Sequence, residues 1–425
     1  MNRVVRPFLA LVALAPTCLL PGARAAEPAE PSPPKSDPPA VIDAAEFPTL
    51  QAALDAVPEA GGLVRLPPGD FEIAEPLVLS RSNTRVVGAG TATKLLNTNT
   101  DGKPALIVQP SDAEKKPRAR LWRVQLADFR ICGDPEAVDA KSTDPKSGDG
   151  LLARGVNEIY LHGLSVDHCG GHGVNLVGCY EDPRVSDCII TYNAQAGLNL
   201  VGCHDIVVNA NQFEENQDAV RCIDGYNLCM NGNCLDDHRR HGVVIENTYG
   251  SVLSGNMIEE CAGVAVIMDR DCYGNTVSAN VIAHDFEGGV DLRDAWGCAV
   301  SANTFTMCRP LGVRVGPDAG RIAITGNSFS NAHIGGKAKR EDAAHGVVLE
   351  GTEDVCVSGN TFTGMQKQAV TADADCQRIS VTGNVLCDLN RAGGEKLPPI
   401  DLGGAKDSLA EQNLIGPDLP PPKKK

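Results

Sequence analysis

From about residue 170 onward the chain alternates apolar and polar residues with a period of two. Glycine or asparagine breaks each run before it is long enough for a helix. One unit recurs. It ends in "VNANQF" around Asn211, "MNGNCL" around Asn233, "LSGNMI" around Asn256, "VSANVI" around Asn280 and "VSANTF" around Asn303, then "ITGNSF" around Asn327, "VSGNTF" around Asn360 and "VTGNVL" around Asn384. The intervals are 22, 23, 24, 23, 24, 33 and 24 residues. The long interval holds a charged insertion, "GGKAKREDAA", expected to be a surface loop. "VSDCII" at Asp187 and "AEQNLI" at Asn413 read as degenerate outer members. A second element of the form "GVxL" precedes each asparagine, beginning at Gly173, Gly197, Ala219, Gly242, Gly263, Gly289, Gly312 and Gly346.

Repeats of this length built from short strands predict a β-solenoid, in which equivalent residues stack at the parallel-strand spacing of about 4.8 Å. A buried turn asparagine can then bond its equivalents above and below, supplying partners that a buried turn otherwise lacks. The repeated asparagine is therefore a structural rung. This pattern resembles the right-handed parallel β-helix of the pectate lyase superfamily. The stretch "FPTLQAALDAVPEAGGLVRLPPGDFEI" is similar to that superfamily's entry into its first coil. The resemblance spans Val41 to Gly416 and implies an all-β fold, a right-handed parallel β-helix with an N-terminal capping helix from Phe47 to Val57. It says little about activity, because one fold hosts many functions.

The ends of the chain have a different character. Arg3 and Arg6, an apolar run from Phe8 to Leu20 and "ARA" ending at Ala25 have the layout of a secretory signal peptide, so residues 1–25 are expected to be removed. The run is short for a membrane anchor. Residues 26–40 carry Pro28, Pro31, Pro33, Pro34, Pro38 and Pro39 and predict an extended linker. Residues 41–416 form the β-helix domain, and residues 417–425 a Pro/Lys tail. Removal of the leader takes three arginines and leaves 35 basic against 54 acidic residues. So acidic an exported chain argues against nucleic acid. No later stretch is apolar enough to span a bilayer, so no membrane partner is expected. A monomer in the periplasm or outside the cell is expected.

Fifteen cysteines follow the leader, an odd number. Cys179 and Cys203 lie 24 residues apart, so they share a column on adjacent coils where a disulfide fits. No zinc-type paired spacing is present, and stacking as small apolar residues accounts for the others.

Candidate chemistry follows from the strand alternation. In "GVxL" the x position and the residue after Leu face outward. The first outward column reads Asn175, Asn199, Arg221, Val244, Ala265, Asp291, Arg314, Val348. The second reads Val177, Val201, Ile223, Glu246, Ile267, Arg293, Gly316, Glu350. Charge gathers on the middle coils, as in a binding groove or in a solvated face laced with pairs such as Asp291–Arg314. Seven residues before the asparagines stand Tyr226, Tyr249, Tyr273 and Trp296, flanked by His204 and Tyr180, in a chain only 4% aromatic. They form either a sugar-stacking platform or a turn stack that packs on itself.

Just before "GVxL" come His172, Ala196, Asp218, His241, Ala262 and Gly288. "QDAV" followed one coil later by "RRHGVV" resembles part of the active centre of alginate epimerases. That resemblance implies Asp218, Arg240 and His241 as catalytic residues. The family's "DPH" on the preceding coil is here Asn199-Leu200-Val201, so its Asp and His are missing. "NTDG" at Asn99 and "GHG" at Gly171 are similar to polygalacturonase motifs, but the aspartates expected between them are absent.

The leading expectation is a lyase or epimerase acting on a uronate-containing polysaccharide. Such chemistry needs a cation on the substrate carboxylate, from Arg221, Arg240 or Arg314, and a base, here His241 assisted by Asp218 or Tyr249. Glu246, Asp291 and Arg293 would line the substrate groove with the aromatic column. Hydrolysis by Glu246 and Asp291 is a further option. A non-catalytic extracellular glycan-binding or envelope-structural β-helix is the alternative. No cofactor or metal site is evident and no calcium-loop signature is present, although calcium would help an acidic protein hold an acidic glycan.

Overall fold

The computed structural model describes residues 39–136, 145–284, 287–330, 345–391 and 396–416. The leader, most of the linker, the charged insertion and the tail of the sequence reading lie outside them. Almost every described element is a strand of two to six residues paired in parallel with its equivalents one coil before and after. In one representative coil the chain runs through Val243–Glu246 in sheet C, Val252–Ser254 in sheet A and Met257–Glu259 in sheet B, then returns to sheet C at Val264–Asp269. Sheet B has fourteen strands, one per coil, so the solenoid makes about fourteen turns.

The turn from sheet A to sheet B explains the repeated asparagine. The backbone N–H and Nδ2 of Asn256 both donate to Oδ1 of Asn280, at 2.9 and 3.0 Å, and Nδ2 also donates to the Met230 carbonyl at 3.2 Å. The same bonds join Asn211, Asn233, Asn280, Asn303, Asn327, Asn360, Asn384 and Asn413 in order. At the N-terminal end the rung is Cys188 rather than Asp187, because it is the Cys188 N–H that donates to Asn211. The residue before each asparagine turns the chain in the left-handed region. Gly255 does so at φ 68°, and Ala279 and Ala302 at 55°, which accounts for the alternation of "GN" and "AN".

Ile258, Ile282, Phe305 and Phe329 follow the asparagines and are fully buried. Phe305, Phe329 and Phe362 stack with centroids 4.6 Å apart and nearly parallel planes. The capping helix is shorter than expected, Leu50–Asp55. Thr49 caps it by accepting the Ala52 N–H at 3.1 Å, and Pro58 follows soon after its end. Its Leu50, Ala53 and Leu54 are buried against the first coils, and Gln51 bonds both the N–H and the carbonyl of Val78. This covers edge strands that would otherwise be open to pairing.

None of the fifteen described cysteines is joined in a disulfide. Cys179 and Cys203 are buried, with their sulfurs in hydrogen-bonding contact. No helix among the described residues is long and apolar enough to cross a membrane.

Replacing Asn280 by Leu strands the Asn256 donors in a buried turn, and chemical denaturation is expected to show a loss of about 1–3 kcal/mol.

Candidate functional site

The outward face of sheet C carries the charged residues of the middle coils, with one change of register. The letters "GVAV" suggested Gly263 as the partner of Gly242, but Val243 pairs with Val266 and Glu246 with Asp269. Ile267 and Asp269 therefore occupy the columns expected to hold Ala265 and Ile267, and Val264 replaces Ala262 beside His241. A slip of two keeps every side chain on its own face, so the alternation gave no warning.

Asp218 is the centre of the arrangement and is fully buried. Arg240, one coil later, donates Nε to its Oδ1 at 2.8 Å and Nη2 to its Oδ2, and the His241 backbone N–H donates to Oδ1 at 3.1 Å. The Asp218 bond holds the Arg240 proton more tightly than usual. The structure thus brings the three expected catalytic residues together, though Asp218 meets the His241 backbone rather than its ring. The ring Nδ1 accepts the Val264 N–H at 3.0 Å. A neutral His241 therefore carries its proton on Nε2, where it can donate, and this arrangement disfavours the base role expected of it. Burial lowers its pKa, against the opposing pull of Asp218. His172 is held the same way, with Nδ1 accepting the Ala196 N–H at 3.2 Å, and burial lowers its pKa too.

Beside Asp218 lies Arg221. Its guanidinium makes no hydrogen bond among the described residues. Nε is buried without a partner, and the nearest carboxylates, Asp218 and Glu246, are both 3.9 Å away. Glu246 accepts Arg270 at 3.0 Å on Oε2, leaving Oε1 without a bond among the described residues. On the coils before, an amide rail leads to this point. Asn199 donates to Asn175 at 3.0 Å, and Asn175 donates to Asp149 at 2.8 Å. Asp149 was overlooked in the sequence, although Gly150-Leu151-Leu152 is the same strand motif one coil earlier and pairs in register with Val174 and Asn175.

The later coils are arranged differently from the sequence expectation. Asp291 and Arg314 do not pair. Arg293 donates to Asp291 at 2.8 Å and lies 3.8 Å from Asp269, while Arg314 reaches forward to Glu350 at 2.6 Å.

The aromatic column runs along the turn after sheet C, on the Glu246 side. Tyr180, His204, Tyr226 and Tyr249 stack on one another with centroids 3.8, 4.3 and 5.3 Å apart, so their faces are occupied by their neighbours. Tyr249 also donates its hydroxyl to Asp271 at 2.8 Å. Tyr273 leaves the stack, lies over Gly297 and is about half exposed; Trp296 lies over Gly320.

A second ladder, Asn193–Asn216, runs under the turn into sheet C and meets His238 where a third asparagine would stand. His238 is buried, and neither ring nitrogen has a hydrogen-bond partner among the described residues.

The comparisons with known proteins agree with this architecture. A family model described as periplasmic copper-binding protein (NosD) matches residues 171–340. Among solved structures, DFA-IIIase from Arthrobacter chlorophenolicus A6 without its lid matches with TM-score 0.58 and 15% identity, over 89% of this chain and 99% of that one. A mutant of the periplasmic alginate epimerase AlgG matches with TM-score 0.56 and 10% identity, over 88% and 83%. The A-module of mannuronan C-5 epimerase AlgE4 from Azotobacter vinelandii matches with TM-score 0.50 and 15% identity, over 89% and 98%. The chain is a right-handed parallel β-helix. At these identities the likeness is one of fold. No curated protein matches the sequence.

Within the matched span the described residues group three metal-ligating side chains at one place. The one cluster of metal-ligating atoms there, Glu259, Glu260 and His284, is two carboxylates and a single imidazole, whereas copper favours several imidazoles or sulfur. The cluster of Cys132, Asp167 and His168 lies outside the span, and its Asp167 is clasped by both Nε and Nη2 of Arg130 at 2.8 Å.

Burial lowers the His238 pKa to about 4. The unfolded chain, with an ordinary histidine near 6.5, then binds the extra proton first. This contribution to stability is complete above about pH 6.5 and is lost as pH falls toward 4, by up to about 3 kcal/mol. His238→Asn, which restores a ladder residue, is expected to flatten the pH dependence of Tm across that window.

Proposed function

We propose that this β-helix is an extracytoplasmic enzyme that binds a uronate-containing polysaccharide across sheet C and moves the proton next to the uronate carboxylate, as a lyase or an epimerase does. One observation carries the reading. Arg221 is a partly buried guanidinium with carboxylates near enough to hold it in place and no hydrogen bond among the described residues. Its Nε is closed off, and the Nη groups of the partly exposed side chain remain available for a carboxylate.

The roles follow from the bonds around it. Asp218 is spent on orientation, tying Arg240 and the His241 backbone to one coil. Arg221 takes the substrate carboxylate and makes the adjacent carbon acid easier to ionise. Glu246, with Oε1 unbonded beside Arg221, takes the proton. His241 is neutral and keeps its proton, so it donates Nε2–H as a hydrogen bond to the developing oxyanion. A solvent water supplies the proton, to the leaving oxygen in a lyase or to the opposite face of the carbanion in an epimerase, and the hydroxide formed takes back the proton held by Glu246. The amide rail of Asn175 and Asn199 meets sugar hydroxyls. Tyr273 and Trp296, which stand outside the self-packed stack, border the groove. The neighbouring alginate epimerases fit this reading, and an export-type leader fits a polymer substrate.

Incubation with pectate and alginate in deuterated water tests the proposal for both reactions. The expected result is deuterium at C5 by NMR, or unsaturated chain ends by ultraviolet absorbance. New reducing ends without either signal would indicate hydrolysis, and binding without any change would indicate a glycan-binding protein; both outcomes contradict the proposal. Arg221→Met is expected to lower kcat/KM by roughly 10–100-fold, the equivalent of losing a charge-assisted bond. Glu246→Gln is expected to lower kcat with little change in KM.

A further inference from the structure

Past the amide rail, toward the N-terminal end of the solenoid, the face of sheet C meets a wall formed by residues 109–120. One end of the wall is held by the Gln109 N–H on the Leu79 carbonyl at 3.1 Å, the other by the Leu121 N–H on the Gly155 carbonyl at 3.0 Å. Within it the N–H groups of Lys115 and Lys116 both donate to the Asp112 carbonyl, and the Lys116 ammonium pairs with the Asp112 carboxylate at 2.7 Å. Between wall and sheet lies a cleft of about 470 Å³, floored by Ile107, Leu152 and Val177 and bordered by Glu114, Arg120 and Arg154. That volume falls within the roughly 300–1,000 Å³ of small-ligand sites.

Two cations border this cleft without an anion bound to either. Arg120 Nη1 donates to the carbonyls of Pro117 and Ala119 at 3.0 and 2.9 Å, which fixes the guanidinium and leaves Nε and Nη2 without a bond among the described residues. It lies close over Gly155, where a Cβ would stand 3.3 Å from Nη1, and Gly155 directly follows Arg154. Arg154 is exposed and makes no hydrogen bond or ion pair among the described residues, and Glu114 pairs with neither arginine. On the later coils, by contrast, Arg240, Arg293 and Arg314 each hold a carboxylate. Like charges gathered at a preformed cleft suit a carboxylate ligand, whose planar shape a guanidinium matches.

The surface between the cleft and Arg221 is open. Arg154 pairs with Val177, Val177 with Val201 and Val201 with Ile223, which is two residues from Arg221 on the same strand. These three apolar side chains are partly exposed, as is Asn175 beside them, so a sugar chain can lie along them next to the amide rail. At the rung spacing of parallel strands the cleft is roughly 14 Å from Arg221 along the axis, a span of about three sugar residues.

We propose that this cleft is a second carboxylate subsite, where Arg120 and Arg154 hold one uronate of the glycan chain whose other carboxylate is held at Arg221. This rests on the function proposed above and extends it. The preferred ligand is an acidic oligosaccharide longer than a disaccharide, running from Arg221 toward the N-terminal end of the solenoid.

Calorimetric titration of the full chain with defined oligomannuronates and oligogalacturonates, from disaccharide to hexasaccharide, tests this. The wild type is expected to gain about tenfold in affinity between disaccharide and tetrasaccharide, as one charge-assisted bond would give. Arg154→Gln removes a charge that bonds no other described residue, so it should keep the disaccharide affinity and the wild-type Tm and lose the step. Arg184→Gln, which removes an exposed charge on sheet A, should leave the whole series unchanged. A wild type without the step, a step that persists in Arg154→Gln, or an equal weakening of that variant at every length overturns the subsite. So does a step lost equally in Arg184→Gln, because general attraction would then explain it. Arg221→Met should weaken every length alike. If it changes nothing while Arg154→Gln loses the step, the anchor at Arg221 fails and the cleft stands. If the wild type binds no oligouronate of any length, both readings fail.

Discussion

Each rung asparagine from Asn233 to Asn384 receives two N–H groups from the coil before it on one oxygen, and gives its own amide to a carbonyl and to the next rung. All four bonding capacities of the side chain are used inside a turn that excludes water. This shared bond sets the register of sheets A and B from Asn211 to Asn413, and register is what brings distant residues into columns on sheet C. Asp218, Arg240 and His241 meet because the coils on either side of Asn233 are locked in step. A solenoid without such a lock could slip by two residues and keep its alternation, moving every charge to a new neighbour.

On that scaffold the site is organised by one buried carboxylate. Removing Asp218 from water without partners would be prohibitive, and the chain meets the cost with the Arg240 fork and a backbone N–H. Arg240 is thereby committed. Of the arginines expected to meet substrate, Arg293 is bonded to Asp291 and Arg314 to Glu350, which leaves Arg221 without a hydrogen bond among the described residues. Salt screens the field of the strongly acidic chain within about 10 Å, so the charges immediately around Arg221 govern how a polyanion would meet it.

Most of the fold was legible in the sequence because it repeats. A spacing near 23 residues with a glycine or alanine before each asparagine leaves few architectures, and the core positions after the asparagine are buried as the alternation requires. At the candidate site the nearness of the residues was legible and their bonds less so. Asp218, Arg240 and His241 fall together by register, yet nothing in the letters shows that the Asp218 carboxylate meets a backbone N–H or that Val264 occupies Nδ1 of the ring. Arg314 turns to Glu350 across the long insertion, a contact 36 residues away that column spacing alone did not favour over Asp291. The self-stacking of Tyr180 through Tyr249 likewise depends on side-chain rotation, which period and composition do not carry.

Diffraction from crystals soaked with a uronate tetrasaccharide bears most directly on the central claim, that sheet C presents one glycan groove with Arg221 as its carboxylate anchor. The account predicts a chain lying along the solenoid axis with a carboxylate against the Arg221 guanidinium. A sugar bound on sheet A or B, or on sheet C with its carboxylates turned away from Arg221, would contradict it.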